Sequence, residues 1–381
     1  MATWLLEPEF ERYEETKERK LVFAAHDPSA RNHVLALCDA CDGLGPCSYV
    51  DLSFCDFQDP DWHSRLLDGF GPFDGLVVGC SSNGREFELI ATAKLEHRNA
   101  KTVMLAELGL GRPGVPRLAG LAEASAPDLI LVTNERAEAS VAARLDAVGA
   151  KKTRVVLGGS GHLEKLRSSR TGELDRDAVR AAYNCARDAA LVAYFACCDD
   201  AAFEVTADDV AAMVDKALDV VAGAEKVLLV VRPHPRASAA AHGACRRLLS
   251  GFEHVNYDEH SAVDLDSLLR AADAALSYGS TTGLEAAALG VPTAFVVGGW
   301  AGQRAYLDDQ YAHCDGAYPR LSTAADGAAF LAQARRAGGR RAPAADADHT
   351  TGALERCRAA LATVLAAKPG PYDGLNFKVV V

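Results

Sequence analysis

Two α/β domains facing one another across a cleft, each a doubly wound parallel sheet, are the fold that this sequence predicts. Three observations predict it. Short continuous apolar runs alternate with Ala-rich runs of helical length, the mark of parallel strands covered on both faces by crossover helices. The alternation lapses in a charged segment after residue 166 and then restarts with units of similar size. The length, 381 residues, exceeds the roughly 250 that one core usually supports.

Composition narrows the function classes. Hydrophobic residues make up 49% and charged residues 24%, ordinary globular values that exclude wholesale disorder. Asp+Glu outnumber Lys+Arg by 52 to 40, a net charge of −12. Such a chain is poorly suited to nucleic acid or an anionic membrane, though a local basic pocket for a small phosphorylated ligand stays open. No run approaches the roughly 18 apolar residues of a membrane helix, and the charged start lacks a signal core. A soluble cytoplasmic protein is the expectation. The 11 cysteines are odd in number and scattered, so buried thiols are expected rather than a disulfide framework. Cys38 and Cys41 form a C-x-x-C, but no second pair follows to complete a zinc site. They also sit late in a helix, the wrong place for a redox pair.

The elements follow in order. Lys20 to Ala25 is a first buried strand, and a polar turn from His26 to Asn32 leads into a helix reaching about Cys41. Ser48 to Leu52 and Gly75 to Gly79 are the next strands, the latter followed by Ser81-Ser82-Asn83-Gly84 and a helix from about Arg85 to His97. Thr102 to Leu105 and Asp128 to Val132 are strands four and five, with a helix to about Val148 after Thr133-Asn134. Arg154 to Leu157 is the sixth, and Gly158-Gly159-Ser160-Gly161-His162 beyond it reads as a hinge or a substrate loop. The pattern restarts with strands at Leu191 to Phe195, Lys226 to Val231, His254 to Tyr257, Ala274 to Ser277 and Pro292 to Val297. Helices are expected at Asp208 to Val221, Ser238 to Leu249 and Ser261 to Ala272, the last with a leading Ser cap. Another opens after Thr282 and reaches about Leu289. Arg335 to Thr351 reads as a loop, and Leu354 to Ala366 as a final helix. The division expected is 1–166, a connection at 167–190, 191–345, and a C-terminal helix and tail at 346–381.

In doubly wound sheets ligands bind beyond the carboxyl ends of the strands, so the polar turns there carry the chemistry. The strongest runs from Ser277 to Pro292. A small-residue turn feeds a helix N-terminus, whose N–H groups and dipole favour a phosphate. Gly279 and Gly283 permit close backbone approach, and Ser280, Thr281 and Thr282 add hydroxyls. Glu285, expected in the first turn, suits a ribose diol. An ordinary N-cap would present the same residues. The second turn is Arg232-Pro233-His234-Pro235-Arg236. Its prolines fix the backbone, so His234 points out of a strand end with Arg232 and Arg236 beside it. Such a group suits a diphosphate or a leaving phosphate.

These two turns resemble the C-terminal half of the two-domain glycosyltransferases of GT-B architecture. They look most like the branch of bacterial sialyl-, Kdo- and glycerophosphate transferases, in which a His-Pro turn and a Ser/Thr-rich turn hold nucleotide phosphates. The pattern Thr-Gly-x-Glu-Ala-x-x-x-Gly-x-Pro, at Thr282 to Pro292, is shared with nucleotide-sugar 2-epimerases of the same fold. The resemblance covers roughly Leu191 to Phe295 well and the first half in outline. It implies two Rossmann-like domains, with donor nucleotide on the second and acceptor on the first. It also implies no metal and no cofactor, the nucleotide-sugar being a co-substrate. Partners would be a nucleotide-sugar donor and a small-molecule or glycan acceptor, and a homodimer stays open.

The resemblance places a glycine-rich loop, and often the catalytic base, after the first strand. Here His26 or Asp27 is the candidate base, and the loop departs from the pattern, with Ser29-Ala30 where glycines are expected. Ser81, Ser82 and Asn83 after the third strand are further binding candidates, and Glu107 follows the fourth. Gly298 to Arg304 could close over a sugar, with Trp300 stacking on it, or merely form a turn covered by an aromatic. His33 and His63 lack the spacing of metal ligands. Three readings follow: a metal-independent glycosyltransferase, a non-hydrolysing nucleotide-sugar 2-epimerase drawing on Glu107 and Glu135, and a catalytically inactive nucleotide- or phosphate-binding protein of the same fold.

Overall fold

Five consecutive buried side chains, Leu21–Ala25, make strand β1. Their alternation decides the architecture. Leu21, Phe23 and Ala25 enter the core on one face, and Val22 and Ala24 the core on the other. A strand buried on both sides has to lie inside a three-layer α/β sandwich. The computed structural model describes residues 19–41, 43–81, 84–106, 121–169, 175–201, 204–304, 307–308, 318–336 and 350–367.

After β1 come α1 (Pro28–Ala40), β2 (Cys47–Asp51), α2 (Trp62–Phe70), β3 (Gly75–Val78), α3 (Arg85–Glu96) and β4 (Lys101–Leu105). Then follow β5 (Leu129–Val132), α4 (Glu135–Ala147), β6 (Arg154–Leu157) and α5 (Gly161–Ser168). The six strands form one parallel sheet in the order β2-β1-β3-β4-β5-β6. The second half contains α6 (Arg176–Ala182), β7 (Ala190–Phe195), α7 (Ala207–Ala222), β8 (Val227–Arg232), α8 (Ala239–Leu249) and β9 (Val255–Tyr257). It continues with α9 (Leu265–Ala271), β10 (Ala274–Ser277), α10 (Thr281–Ala288), β11 (Thr293–Val296) and β12 (Arg320–Leu321). Two helices close the described chain, α11 (Ala324–Arg336) and α12 (Ala353–Ala366). The second sheet is also parallel, in the order β12-β11-β10-β7-β8-β9. The doubly wound two-sheet fold is therefore as expected.

Local chemistry sets the helix starts. Thr206 and Asp209 form a reciprocal capping box on α7, which satisfies two orphan N–H groups at once. Ser238 caps α8, and Pro28 opens α1 at a position where its missing N–H costs nothing. Among the described residues no helix is long and apolar enough to cross a membrane. Cys41, Cys245 and Cys357 are buried thiols, and burial pushes them up to about 12, 11 and 12.

Several elements differ from the sequence reading. The expected helix at Ser261 begins later, at Leu265, because the Asp264 carboxylate accepts from the Ser267 N–H at 2.9 Å. Ser261 lies outside it, in the left-handed region at φ 52°. The glycine-rich segment after β6 is no free loop. Ser160 caps α5 by accepting from the Leu163 N–H at 3.3 Å, and Gly161-His162 is already helical. Residue 166, an expected boundary, falls inside α5. The helices α2 and α11 and the short strand β12 were not expected, and α11 carries helix through Arg336.

The last helix crosses back to the first sheet. Cys357, Leu361 and Val364 of α12 share a core with β1, β4 and β5. Helix α5 holds its start: the two Glu164 carboxylate oxygens accept from the Gly352 and Leu354 N–H groups, each at 2.7 Å. Arg356 Nε also donates to the Gly158 carbonyl at 3.2 Å. On its other side α5 sends Leu163 into a cluster with Leu284, Ala288, Phe295 and Leu307 of the second half. Glu164→Ala removes both acceptors from the α12 N-terminus. It is expected to lower unfolding free energy by about 1–3 kcal/mol, read as a lower urea midpoint; an unchanged midpoint would contradict this role.

Candidate active site

Strand order places two crevices. In the first sheet the chain leaves β1 towards β2 but leaves β3 towards β4, so the crossovers diverge between β1 and β3. In the second sheet the same divergence falls between β7 and β10. Ligands of doubly wound sheets bind at such points, beyond the strand carboxyl ends.

At the first crevice β1 ends in His26-Asp27. Asp27 is the N-cap residue of α1, yet its side chain makes no cap hydrogen bond. Instead Asp27 Oδ1 lies 3.1 Å from His26 Nδ1. An Asp accepting from Nδ1–H leaves Nε2 as the basic nitrogen of a neutral imidazole. The His26 ring also rests on Phe57, at a centroid distance of 5.6 Å, with Arg85 over that phenyl ring at 4.9 Å. His26 is thus oriented from two sides.

Beneath the pair lies a residue that the sequence did not single out. Glu86, in the first turn of α3, has no exposed surface. Its Oε1 accepts from the His26 N–H at 3.0 Å and from the Ser81 hydroxyl. Ser81 Oγ accepts in turn from the Asp27 N–H at 2.9 Å. Ser81, predicted as a ligand contact, is buried and holds this loop; Ser82 and Asn83 lie outside the described residues, as does Glu107. Burial first, and the Asp27 charge as well, hold the Glu86 carboxyl above its usual range despite the hydrogen bonds opposing them. Two neighbouring carboxylates are thereby separated: one turned to His26, one kept towards its neutral form beneath the backbone.

At the second crevice β10 runs into α10. Ser277 Oγ accepts from the Gly279 and Ser280 N–H groups at 3.2 and 2.9 Å. Ser280 caps α10, accepting from the Thr282 N–H at 3.3 Å and donating to Thr282 Oγ1 at 3.2 Å. Thr281 is the first helical residue. Gly279 takes φ 137°, which needs glycine. The close approach at Gly283 is between α10 and β10, since a Cβ there would sit 2.8 Å from Ser277 Cβ. Glu285 stands one turn further into α10 than expected, because the helix starts at Thr281.

The neighbouring turn follows β8. His234 Nδ1 accepts from the Arg236 N–H at 3.1 Å, so a neutral ring carries its proton on Nε2, as a donor. Arg236 is exposed beside it. Arg232 turns the other way. Its guanidinium pairs with buried Asp258 at 2.5 Å and donates to Val263 O at 2.7 Å and Tyr183 Oη at 3.1 Å. Trp300 packs over the Tyr278 ring at 6.2 Å, and Gln303 ties its loop to the Tyr278 and Val296 carbonyls. That loop is anchored to the end of β10.

The two halves meet at Glu285. Its Oε1 lies 2.8 Å from His162 Nε2 of α5. The His33 ring stands 5.5 Å behind His162. Burial, and then His162, lower the His33 pKa to about 3. His162 entered the sequence reading only as the end of a hinge or substrate loop, and Glu86 was not a candidate. Each is a lone residue near a helix start, and the partner that gives it meaning is supplied by the fold. Glu135 is exposed at the start of α4, and His63 meets Thr92 Oγ1 at 3.0 Å. Among the described residues one trio, Asp68, Glu96 and His97, could share a metal ion. It sits at the C-terminal ends of α2 and α3, the side of the sheet opposite the crevice.

No family model matches the chain, and no curated protein does. Solved structures do. The UDP-GlcNAc 2-epimerase of Neisseria meningitidis, bound to UDP-GlcNAc, superposes with a TM-score of 0.61 at 11% identity, over 90% of this chain and 100% of that one. The Methanocaldococcus jannaschii UDP-GlcNAc 2-epimerase in complex with UDP-GlcNAc and UDP gives 0.61 at 14% identity, over 90% and 99%. A UDP-forming α,α-trehalose-phosphate synthase of Burkholderia xenovorans gives 0.55 at 13%, over 93% and 100%. The chain has the two-domain GT-B fold of these enzymes.

A carboxyl raised in the fold stabilises most at low pH. The Glu86 contribution is complete below the ordinary glutamate value of about 4.3 and is lost as pH rises through the folded value. Wild type should therefore lose stability relative to Glu86→Gln as pH increases from about 4. Urea midpoints of both proteins across pH check this, and a constant difference would show that folding leaves the Glu86 titration unshifted.

Proposed function

We propose that this chain is a metal-independent glycosyltransferase, moving a sugar from a nucleotide-sugar donor to an acceptor hydroxyl. The observation that carries the reading is the His26–Asp27 pair at one crevice, with a capped helix start and the His234 donor at the other. One side offers a base for a hydroxyl. The other offers donors for a departing phosphate.

The donor diphosphate lies on the N-terminus of α10, against Gly279, Ser280, Thr281 and Thr282. Helix N–H groups and dipole favour its charge. His26 Nε2 takes the proton of the acceptor hydroxyl. The acceptor oxygen bonds to the anomeric carbon as the bond from that carbon to the diphosphate oxygen breaks. Negative charge grows on the leaving phosphate, and His234 Nε2–H and Arg236 stabilise it where it forms. Arg232, held by Asp258, shapes the turn from within. Glu285 accepts from the ribose hydroxyls. No cofactor enters this scheme.

The epimerase alternative requires carboxylates facing a sugar carbon. Among the described residues, Asp27 beside the first crevice is engaged with His26 and Glu86 lies beneath the loop, which favours transfer. Incubation with nucleotide-sugars and candidate acceptors, with a chelator present, separates the readings. Transfer yields free nucleotide and a glycoside; a 2-epimer with the nucleotide still attached would replace this proposal.

Two variants probe the roles. His26→Ala should lower kcat by about 10²-fold or more, the usual worth of a general base, with nucleotide affinity unchanged. Wild-type turnover in that variant would remove the base assignment. His234→Ala should cost far more in turnover than in melting temperature, whereas a loss confined to stability would make His234 structural.

A further inference from the structure

Glu285 is held by a residue of the other half of the molecule. His162 and Glu285 side chains are 15% and 9% exposed, and 2.8 Å separates His162 Nε2 from Glu285 Oε1. The donor side of this contact is rigidly placed. Ser160 caps the first turn of α5, Leu163 packs among Leu284 and Ala288 on either side of Glu285, and Glu164 is fixed to the start of α12. His33 closes the space behind the imidazole. Its burial and low pKa keep it neutral, so it lends His162 shape without charge.

We propose that His162 is a positioning residue of the nucleotide site. Its Nε2–H holds Glu285 Oε1 and presents Oε2 to the ribose hydroxyls, so the first half completes a site carried by the second. This rests on the ribose role of Glu285 proposed above. The physical gain is preorganisation. A glutamate has three rotatable bonds, and fixing them before the ligand arrives removes an ordering cost from binding. The nucleotide then senses the placement of α5, and with it the relation of the two sheets.

The test compares His162→Asn, whose amide is too short to reach Glu285, with His162→Gln, whose amide can donate. Calorimetry is run with the tightest-binding of UDP, GDP and CMP, and separately with inorganic pyrophosphate. His162→Asn should weaken nucleotide binding about tenfold, the loss of one hydrogen bond to a charged group. His162→Gln should restore it to within about threefold, and pyrophosphate affinity should be unchanged in both. Equal weakening of pyrophosphate would make His162 a general structural residue and overturn the proposal. Wild-type nucleotide affinity in His162→Asn, with Glu285→Ala weakened, would overturn it while leaving the ribose role intact. Unchanged affinity in Glu285→Ala as well would remove the ribose role, and with it this proposal. No nucleotide bound by wild type would remove the proposed function itself.

Discussion

The packing of α5 between the two sheets is the constraint on which the rest depends. One short helix meets three partners: Leu163 enters the second half, Glu164 caps the last helix, and His162 reaches Glu285. Apolar burial there supplies affinity between the halves without direction. The hydrogen bonds supply direction, because a carboxylate accepting two N–H groups tolerates little displacement. The returning helix α12 is thereby tied to the same point, so the relation of the two crevices is set where α5 meets α10 and α12.

In each crevice buried groups position the loops that carry the proposed reacting groups. Ser81 and Glu86 hold backbone N–H groups and leave the His26–Asp27 side chains towards the crevice. Ser277 does the same for the turn before α10. Arg232 does it for the His234 turn through a buried pair with Asp258. In each case a buried polar side chain is hydrogen-bonded to the residues around it, which offsets part of its desolvation cost and rigidifies the loop.

The strands were legible because burial on both faces leaves a continuous apolar run, and β1, β7 and β10 show it. The start of α10 was legible because a Gly- and Ser/Thr-rich run before an apolar helical run marks a capped helix N-terminus. What could not be read depends on distance in sequence. Arg232 reads as a ligand arginine until Asp258 is seen beside it. Ser160-Gly161-His162 reads as a loop because glycine weakens the helical signal, and only packing against α12 and α10 rescues it. Glu86 drew no reading of its own, since nothing local reveals that it lies under His26. The α2 helix is short and set among Asp, Gly and Pro residues, where turn chemistry dominates the pattern.

The central claim is that a nucleotide occupies the start of α10. It is tested most directly by the thermal stability of the wild-type protein with UMP, UDP, CMP, GDP and their sugar conjugates. A ligand that binds the folded state raises the melting temperature in step with its concentration over its dissociation constant. The account predicts selective stabilisation by one base, stronger for the diphosphate or sugar conjugate than for inorganic phosphate. A folded protein that shifts with none of them would contradict it.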